Sequence, residues 1–594
     1  MILYNIMYNL IIVVLVLLII VYAYINIFSV DNNKVYERIY PGKKDKISQD
    51  YEYIIVGSGP AGLQTAYYLE KYNKKYIVLE KDNCVGGFFK KYPIHRQLIS
   101  INKVYTGSEN KEFNLRHDWN SLLSEDESLL FKNYSKEYYP HADVMVQYLN
   151  DFYERYKLNI VFNANVRDIS KNKENFIVKT QENEYSGEKV IVAAGLFKIN
   201  KTELVPEDSI LYSQLTQDKS MFVNKKVAII GGGNSAFETA NYLTDVTSTI
   251  HLIVKGPIKF AWQTHYVGHL RAINNTFLDT YQLKSQNVIV ESEEGDRIIK
   301  KDGKYYLGDG DGEIDIESTP EGGFDYIINC SGFNMDTSIF NNCVPIHNGK
   351  VPLIKPNFES INIENLFFAG VLGQEIAYKK SSGAFIHGFR YLIRSMVDID
   401  TGHINITNIL NKEQLYNIIY DRINHSSGIY QMFGCLVDAI IIIDEKILYI
   451  QEIPIKYLEK YIIPYVKKAA IISLNYGSNF GGVIENTNSL GNATYVFGVD
   501  RAIGSEPGYG HLSNFLHPIF KLYINSIHLK DIHLCENVHT EFKTEDYQKE
   551  INNFINYFYN LSSFHIISES IKQPLFNIFY SRFFLDIKDY FITE

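Results

Sequence analysis

The feature that most constrains the fold is a strand–turn–helix–strand unit early in the chain. An apolar strand, Tyr51 to Val56, runs into the glycine-rich turn Gly57 to Gly62, and a segment with helical apolar spacing follows. The next apolar stretch, Tyr76 to Leu79, leads directly to Glu80. Such glycines let the backbone approach a pyrophosphate, the helix N-terminus stabilises its charge, and the acid accepts hydrogen bonds from a ribose. The unit predicts a dinucleotide site built from Gly57, Gly59, Pro60, Ala61, Gly62 and Glu80.

A second unit of the same kind begins at Val227. The strand Val227 to Ile230 enters the turn Gly231 to Ala236, a helix follows, and the next strand ends at Lys255. An acid at that position would repel a 2′-phosphate, whereas Lys255, with Lys259 nearby, would attract one. We predict NADP(H) binding by Gly231, Gly233, Asn234, Ser235, Ala236 and Lys255; the alternative is a fold repeat that binds no nucleotide.

Two dinucleotide-binding units in one chain indicate a flavoprotein, with FAD in the first unit and a nicotinamide in the second. Apolar strands ending in small residues, Val190 to Gly195 and Tyr326 to Gly332, are typical of points where a chain crosses between such units. Asn365 to Gly370 would return to the first sheet, and a helix beginning near Ser382 could aim its amides at the flavin.

The predicted fold class is α/β, with two nested Rossmann-like dinucleotide-binding domains. An N-terminal hydrophobic segment precedes them and a C-terminal α/β appendage follows. The boundaries are 1–30 for the hydrophobic segment, 31–50 for a linker, 50–200 with 325–400 for the FAD domain, 201–324 for the NADPH domain and 401–594 for the appendage.

Charge and cysteine content exclude several other functions. Lys and Arg total 58 against 68 for Asp and Glu, a net charge of −10, and a general nucleic-acid binder would need a basic face. The 5 cysteines form no CxxC or CxxxxC pair, which disfavours a zinc ribbon and a flavin-linked dithiol. We therefore expect neither nucleic acid nor a metal as a ligand.

The N-terminal segment indicates membrane targeting. No residue from Met1 to Val30 is charged, and Leu10 to Ile25 is apolar without interruption. The length of the run is intermediate between that of a secretory signal and that of a membrane span. No basic region precedes the run, and no small-residue cleavage site follows it. We predict an uncleaved anchor, with a cleaved signal peptide as the alternative. The basic residues from Lys34 to Lys46 favour a cytosolic domain, whereas glycosylation sequons such as Asn133 favour a lumenal one.

Further stretches carry a family resemblance. Gly86 to Phe89 and Leu98 to Gly107 resemble the flavin-facing region of flavin-containing monooxygenases. The strings EFNLRHDWNSLLS, GNSAFETA, THYVGHLRAINN, LDTYQLKS, SGAFIHGFRY, YQMFG and SNFLHP are more specific. Together they are similar to the FAD-dependent oxidoreductase domain-containing proteins that include the endoplasmic reticulum flavoprotein associated with degradation. The resemblance spans about residues 50 to 520 and implies FAD, a nicotinamide partner, an endoplasmic reticulum address and a link to disposal of misfolded proteins.

The resemblance also assigns site residues. Asn102 matches the asparagine that flavin-containing monooxygenases hold beside the flavin, which makes it the catalytic candidate; an asparagine in a turn is the alternative. Aromatic faces and a cation suit a planar ring that becomes anionic on reduction, so Phe88, Phe89 and Arg96 are expected to line it. The remaining residues assigned to the FAD site are Gly87, Val166, Gly195 and Gly370.

The sequence also departs from these families. Val371 replaces the acid that usually follows Gly370. The residues after Gly195 lack the FxGxxxH pattern of monooxygenases, and this second departure argues against oxygenation. The chain ends at Glu594 without a KDEL-like signal, so we expect the N-terminal segment to retain the protein in the endoplasmic reticulum.

One short segment concentrates further candidates: Trp262, His265, His269 and Arg271. The two histidines would share a face of a helix, but no third ligand or HExxH pattern accompanies them, so a metal is disfavoured. A substrate-pocket or nicotinamide-facing role and simple packing both remain open. Residues 401–594 carry no catalytic signature. Their function could be substrate presentation or partner docking, and the sequence does not choose between the two.

The sequence as a whole predicts an FAD-dependent, NADPH-linked oxidoreductase of the endoplasmic reticulum, anchored or lumenal, acting in quality control and degradation of misfolded proteins. Its partners would be misfolded or quality-control proteins and the membrane. One alternative is a flavin-dependent monooxygenase acting on nitrogen or sulfur. The other is a non-catalytic adaptor whose FAD is structural.

Overall fold

The structure is a computed structural model that describes residues 50–200, 205–279, 289–292, 297–308, 313–315, 318–443, 446–477, 513, 515–534 and 542–560. The compact unit that contains them begins at Asp50. The predicted anchor and nearly all of the predicted linker lie outside these residues. Within the described ranges, no helix combines the length and the apolar character needed to cross a membrane.

The described strands and helices follow in chain order. The strands are β1 (Asp50–Val56), β2 (Tyr76–Leu79), β3 (Ile160–Val161), β4 (Asp168–Asn172), β5 (Asn175–Lys179), β6 (Glu184–Val192), β7 (Lys198–Ile199), β8 (Ile210–Leu211), β9 (Lys226–Ile230), β10 (Thr249–Lys255), β11 (Ile289–Ser292), β12 (Arg297–Lys301), β13 (Lys304–Gly308), β14 (Tyr326–Asn329), β15 (Phe333–Asn334), β16 (Leu366–Phe368), β17 (Ile406–Ile409), β18 (Leu436–Ile443), β19 (Lys446–Pro454), β20 (Lys468–Asn475), β21 (His517–Ile524) and β22 (Ile527–His533). The helices are α1 (Pro60–Lys71), α2 (Gly87–Lys91), α3 (Lys111–Leu115), α4 (Ala142–Tyr156), α5 (Asn234–Leu243), α6 (Ala261–Thr264), α7 (Ile386–Thr401), α8 (Lys412–His425), α9 (Gly428–Gln431), α10 (Ile455–Tyr461) and α11 (Glu545–Asn560).

The first sheet has the strand order β3-β2-β1-β6-β5-β4, and β16 also pairs with β6. β1 lies parallel to β2 and β6, and Tyr53 to Val56 are buried because helices cover both faces of such a sheet. β16 is parallel to β6, with Phe368 opposite Val192. The predicted return of the chain to the first sheet is therefore confirmed.

The second sheet has the order β11-β10-β9-β14-β8. Its apolar core is formed by β9, β10 and α5, with Val227, Phe237 and Leu252 fully buried. β14 pairs with β9, Ile328 opposite Ile229. The prediction places residues 325–400 in the first domain, but β14 lies in the second sheet, so the chain returns to the first sheet only after Asn329.

The C-terminal region has an antiparallel sheet in the order β17-β19-β18-β20-β21-β22. Alternate residues of β18 face opposite sides, because side chains in a strand repeat every second residue. Ile440 packs with residues of α8 and α11, whereas Ile441 packs with residues of α10. The predicted mixed appendage thus consists, in its described part, of an antiparallel sheet between helices.

A buried ionic network joins this region to the first domain. The Glu452 carboxylate accepts from Arg394 of α7 and, at 2.8 Å, from Arg422 of α8. Arg422 also donates to Asp438 at 2.6 and 3.0 Å, and Tyr449 donates to the same carboxylate at 2.9 Å. Because α7 follows the last strand of the first domain, these charges fix the C-terminal sheet to the FAD side of the molecule.

Candidate functional site

The first glycine-rich turn lies between β1 and α1 and has three glycines, each with different surroundings. Gly57 has φ +99°, and a Cβ there would lie 3.0 Å from the Ala193 carbonyl oxygen. A Cβ on Gly62 would lie 1.9 Å from the Gly57 carbonyl oxygen, so this glycine is needed for helix–strand contact. Gly59, directly before α1, has φ −69° and ψ −177°, and a Cβ there would meet no atom of the described residues within 4 Å. These residues therefore impose no requirement for glycine at position 59.

Glu80 is buried at the end of β2. Its Oε2 accepts from the Ser58 amide at 2.6 Å and from the Ser58 hydroxyl at 2.8 Å, and its Oε1 accepts from the Asp82 amide at 2.9 Å. These three bonds orient the carboxylate toward the turn and leave about one acceptor site, on Oε1, since a carboxylate can accept about four hydrogen bonds. The geometry is compatible with the predicted ribose contact.

The predicted flavin-lining residues lie close to this turn in sequence. Arg96 is buried; its Nη2 donates to the Phe89 carbonyl at 2.6 Å and to Asp143 at 2.5 Å, while its buried Nη1 has no hydrogen-bond partner among the described residues. Phe88 is 55% exposed. A Cβ on Gly87 would lie 2.0 Å from an Asp82 carboxylate oxygen, the end of a flexible side chain that can move aside.

These observations test the fit of FAD. The open Cβ position at Gly59 leaves room for a ligand at the N-terminus of α1, where a pyrophosphate binds in such folds. The unpaired Nη1 of Arg96 needs an acceptor that the described protein atoms do not provide, because a buried unpaired donor is costly. Both features fit a bound dinucleotide with an acceptor-rich ring.

The remaining residues predicted for the FAD site have contacts within the protein. The Asn102 amide donates to the carbonyls of Ser135 and Glu137 at 2.8 and 3.2 Å, so both of its donors hold a neighbouring loop. Val166 is buried in the first core, and a Cβ on Gly370 would lie 2.6 Å from Ala61. Gly195 has φ +81° with open space around it. Their contact with a flavin remains a prediction.

The second turn repeats the geometry of the first. Gly231 has φ +134°, and its Cβ would lie 2.6 Å from the Cys330 carbonyl oxygen. Gly233, directly before α5, has φ −102° and ψ −178°, and within the described ranges a Cβ there would meet no atom within 4 Å. Ala236 is buried where Gly62 lies in the first turn, and Lys255 lies exposed at the carboxyl end of β10, as predicted. Ser235 accepts, through its carbonyl, from the Thr239 hydroxyl at 2.6 Å.

Asn234 connects the second turn to the segment that follows β10. Its Oδ1 accepts from the Arg271 amide and from the Asn274 side chain, each at 2.9 Å, and its Nδ2 donates to the His269 carbonyl at 2.8 Å. The predicted ligand-binding side chain therefore serves to hold residues 268–274 beside the N-terminus of α5.

The two histidines considered for a metal do not share a helix face. α6 ends at Thr264, and His265 takes φ +55°, which ends the helix. His269 instead shares a hydrogen bond of 2.6 Å with the Thr264 hydroxyl through Nδ1.

The structure also groups residues that sequence patterns did not. His387 is 1% exposed and stacks on Trp119 with 4.1 Å between ring centroids, and in the part of the chain that the structure describes neither of its ring nitrogens has a hydrogen bond. Burial, followed by Arg390 and Arg271, holds its pKa well below the usual range. The Arg271 guanidinium lies 5.0 Å from the Trp119 ring centroid. Trp119, Arg271 and His387 lie in the sequence segments that carry the family resemblance, but their spacing in the sequence did not predict that they are in contact.

A short segment links the two nucleotide-binding folds. Ile94 is buried in the core of the second sheet, and Tyr92 stacks on Tyr212 with centroids 5.6 Å apart. His95 Nε2 lies 3.1 Å from Glu238 of α5, which also accepts from the Tyr212 hydroxyl at 2.5 Å. Residues of the first domain therefore contribute to the core of the second.

The described cysteines are free, and most of their thiols are unreactive. Burial raises the pKa of Cys330 and Cys435 to about 12 and that of Cys343 to about 11. The thiolate is the reactive form, so these three groups are poor nucleophiles and poor redox relays. Cys535 lies outside the described residues.

Two consecutive dinucleotide folds with this turn chemistry define the class of flavin-dependent oxidoreductases. Residues 54–370 match the family model described as pyridine nucleotide-disulphide oxidoreductase. FAD-dependent oxidoreductase domain-containing protein 2 of Mus musculus is 36% identical over 515 residues, covering 80% of this chain and 76% of that protein. Its Danio rerio counterpart is 35% identical over 528 residues, with 80% and 76% covered. The chain belongs to the family of FAD-dependent oxidoreductase domain-containing proteins, which confirms the predicted resemblance and implies FAD.

Among solved structures, the flavin-containing monooxygenase from Stenotrophomonas maltophilia is similar, with a TM-score of 0.47 and 18% identity. The similarity covers 59% of this chain and 97% of that one. Bacillithiol disulfide reductase from Staphylococcus aureus gives a TM-score of 0.44 and 19% identity over 59% and 98% of the two chains.

Proposed function

We propose that the protein is an FAD-dependent, NADPH-linked oxidoreductase of the endoplasmic reticulum that acts in quality control and degradation of misfolded proteins. The observation that carries the redox part is the matched pair of turns. In each, the residue before the helix is a glycine whose Cβ would meet only open space. A glycine without a steric reason inside the chain is explained when a ligand requires the space.

In this function FAD supplies the ring that accepts a hydride from NADPH. The contributions of the protein are binding and orientation. Glu80, fixed by Ser58 and Asp82, would bind the FAD ribose, and Arg96 would supply its free Nη1 to the flavin. The unreactive thiols of Cys330, Cys343 and Cys435 argue for an acceptor outside these cysteines.

A stopped-flow experiment on purified protein tests this proposal. Bleaching of the flavin absorbance by NADPH supports it, and the reoxidation phase then identifies the acceptor class. Consumption of NADPH coupled to an oxygenated product would favour the monooxygenase alternative. A bound flavin that neither NADPH nor NADH reduces would contradict the proposal and favour the adaptor.

The first prediction concerns Lys255 and the choice of NADPH over NADH. Lys255 lies at the carboxyl end of β10, opposite Ser292 of β11, where the 2′-phosphate of a bound nucleotide would lie. Lys255→Glu should lower kcat/KM for NADPH by about tenfold to a hundredfold, the range for a charge-assisted hydrogen bond, and spare NADH. Flavin reduction by both nucleotides should be measured at one ionic strength, because salt screens an exposed contact.

Lys301→Glu is the matched control for this prediction. Lys301 is exposed in the β12–β13 hairpin, so its substitution makes the same change in charge away from the second turn. It should leave the preference unchanged. Equal rates with NADH and NADPH in the parent protein, unaltered by Lys255→Glu, would remove Lys255 from the site.

The location is a separate part of the proposal. The apolar run from Leu10 to Ile25 and the family resemblance support a membrane-anchored domain in the lumen, although the basic residues from Lys34 to Lys46 favour the cytosol. In intact microsomes, the domain should resist added protease and change its gel mobility after glycosidase treatment. Complete digestion without detergent would overturn the lumenal assignment.

A further inference from the structure

Arg271 is a cation in an unusual environment. Burial lowers the pKa of its guanidinium, with Tyr139 and Tyr138 acting in the opposite direction. Within the described ranges the titratable groups that act on it are these two tyrosines and no carboxylate, although a mostly buried guanidinium normally has an acidic partner. Its neighbour is instead the ring of Trp119, 5.0 Å from Cζ. An anion from outside the chain would complete these contacts.

The position of Arg271 is set by the second nucleotide fold. Its backbone amide donates to Oδ1 of Asn234, the first residue of α5, at 2.9 Å. Asn234 follows Gly233, whose Cβ position is open. Arg271 is therefore fixed beside the N-terminus of a helix to which a dinucleotide pyrophosphate would bind.

The side chain of Arg271 extends from this point toward the first domain. Trp119, which it contacts, stacks on His387 of α7. His387 is 1% exposed, and no described residue forms a hydrogen bond with either of its ring nitrogens. An unpaired buried imidazole beside an arginine without an acid indicates that polar groups of a ligand belong here, because each unpaired group is costly.

We propose that Arg271 binds the phosphate on the nicotinamide side of the dinucleotide and, with Trp119, directs the nicotinamide end toward the first domain. This inference rests on the proposed function. It assigns the two ends of the nucleotide to different cations: Lys255 to the adenosine 2′-phosphate and Arg271 to the phosphate of the nicotinamide half. Arg271 is thus a binding residue for both NADP(H) and NAD(H), whereas Lys255 distinguishes them.

The test measures equilibrium binding to the FAD-loaded protein of three ligands: NADP⁺, NAD⁺ and adenosine 2′,5′-bisphosphate, which lacks the nicotinamide half. Arg271→Gln should weaken NADP⁺ and NAD⁺ equally, by about tenfold to a hundredfold, and leave the bisphosphate unchanged. Lys255→Gln should weaken NADP⁺ and the bisphosphate and leave NAD⁺ unchanged. Arg271→Lys should recover part of the loss because the charge is kept.

Tryptophan fluorescence provides an independent readout. The chain has 2 tryptophans, Trp119 and Trp262, and Trp119 contacts Arg271. Binding of NADP⁺ should change the emission of the Trp262→Phe variant, whose remaining tryptophan is Trp119, and an unchanged emission would contradict the role of Trp119. Flavin absorbance of each variant verifies that the first site is intact.

The outcomes separate the inference from the function on which it rests. If the parent protein binds NADP⁺ and Arg271→Gln binds it equally well, the role of Arg271 is overturned and the proposed function stands. If Arg271→Gln weakens the bisphosphate as much as NADP⁺, the assignment to the nicotinamide half is wrong. If the parent protein binds neither nucleotide, the proposed function itself fails.

Discussion

Gly59→Ala is expected to give a folded protein that has lost most of its FAD. The new methyl group meets no atom within 4 Å in the part of the chain that the structure describes, and φ −69° with ψ −177° suits alanine. The fold should therefore tolerate it. A pyrophosphate seated on the turn would meet that methyl group, and overpacking of this kind costs ~1–3 kcal/mol, or about tenfold to a hundredfold in affinity. The measurement is the flavin absorbance per protein, together with the melting temperature of FAD-free protein.

The chain offers matched controls for this prediction. Gly233→Ala makes the same change in the second turn and should retain FAD while weakening nicotinamide nucleotides. Gly62→Ala adds a Cβ 1.9 Å from the Gly57 carbonyl oxygen, so it should destabilise the fold itself. Full retention of FAD in Gly59→Ala would contradict the assignment of the first turn.

Glu452→Ala is expected to destabilise the whole compact unit by about 3–5 kcal/mol, the cost of removing one partner from a buried ion pair. The Glu452 side chain is 6% exposed, and its loss leaves Arg394 without its carboxylate. Chemical denaturation should show the lower stability both in the flavin signal and in the hydrogen exchange of the backbone amides of β18 and β20, because the network joins α7 to the C-terminal sheet. Separate transitions for the two signals would contradict this coupling.

The same substitution should alter the dependence of stability on pH. Burial would raise the pKa of Glu452, but Arg394 and Arg422 outweigh it and hold the pKa at about 2. An unfolded glutamate has a pKa of about 4.3, so the folded value is the lower one. The carboxylate therefore stabilises the fold fully above about pH 4.3, and this contribution disappears as the pH falls toward 2.

The expected observation is a difference between the parent protein and Glu452→Ala that is large at pH 6 and shrinks below pH 4. Glu125→Ala is the control: Glu125 pairs with Lys71 at 2.6 Å on the surface, with its side chain 76% exposed. Its removal should cost about 0–1 kcal/mol. A constant difference between the parent and Glu452→Ala across this pH range would show that the carboxylate is not the source of the effect.

The sequence by itself determined the two nucleotide-binding folds. Strand, turn, helix and acid are contiguous in the chain, and the backbone constraints act within a few residues, so Gly57, Gly62 and Glu80 could be assigned from spacing. The return strand at 366–368 was predicted for the same reason, since a short apolar run before a glycine is a local signal. The sequence did not predict that β14 belongs to the second sheet, because its pairing with β9 depends on residues far away in the chain.

Only the tertiary structure decided which side chains meet across the fold. Trp119, Arg271 and His387 come from three distant segments, and no periodicity relates them. Likewise, Glu452 belongs to an unremarkable strand in the sequence, yet it joins Arg394 and Arg422 in a buried network. Local patterns record backbone conformation and burial, whereas contacts between distant charges and rings exist only after packing brings those segments together.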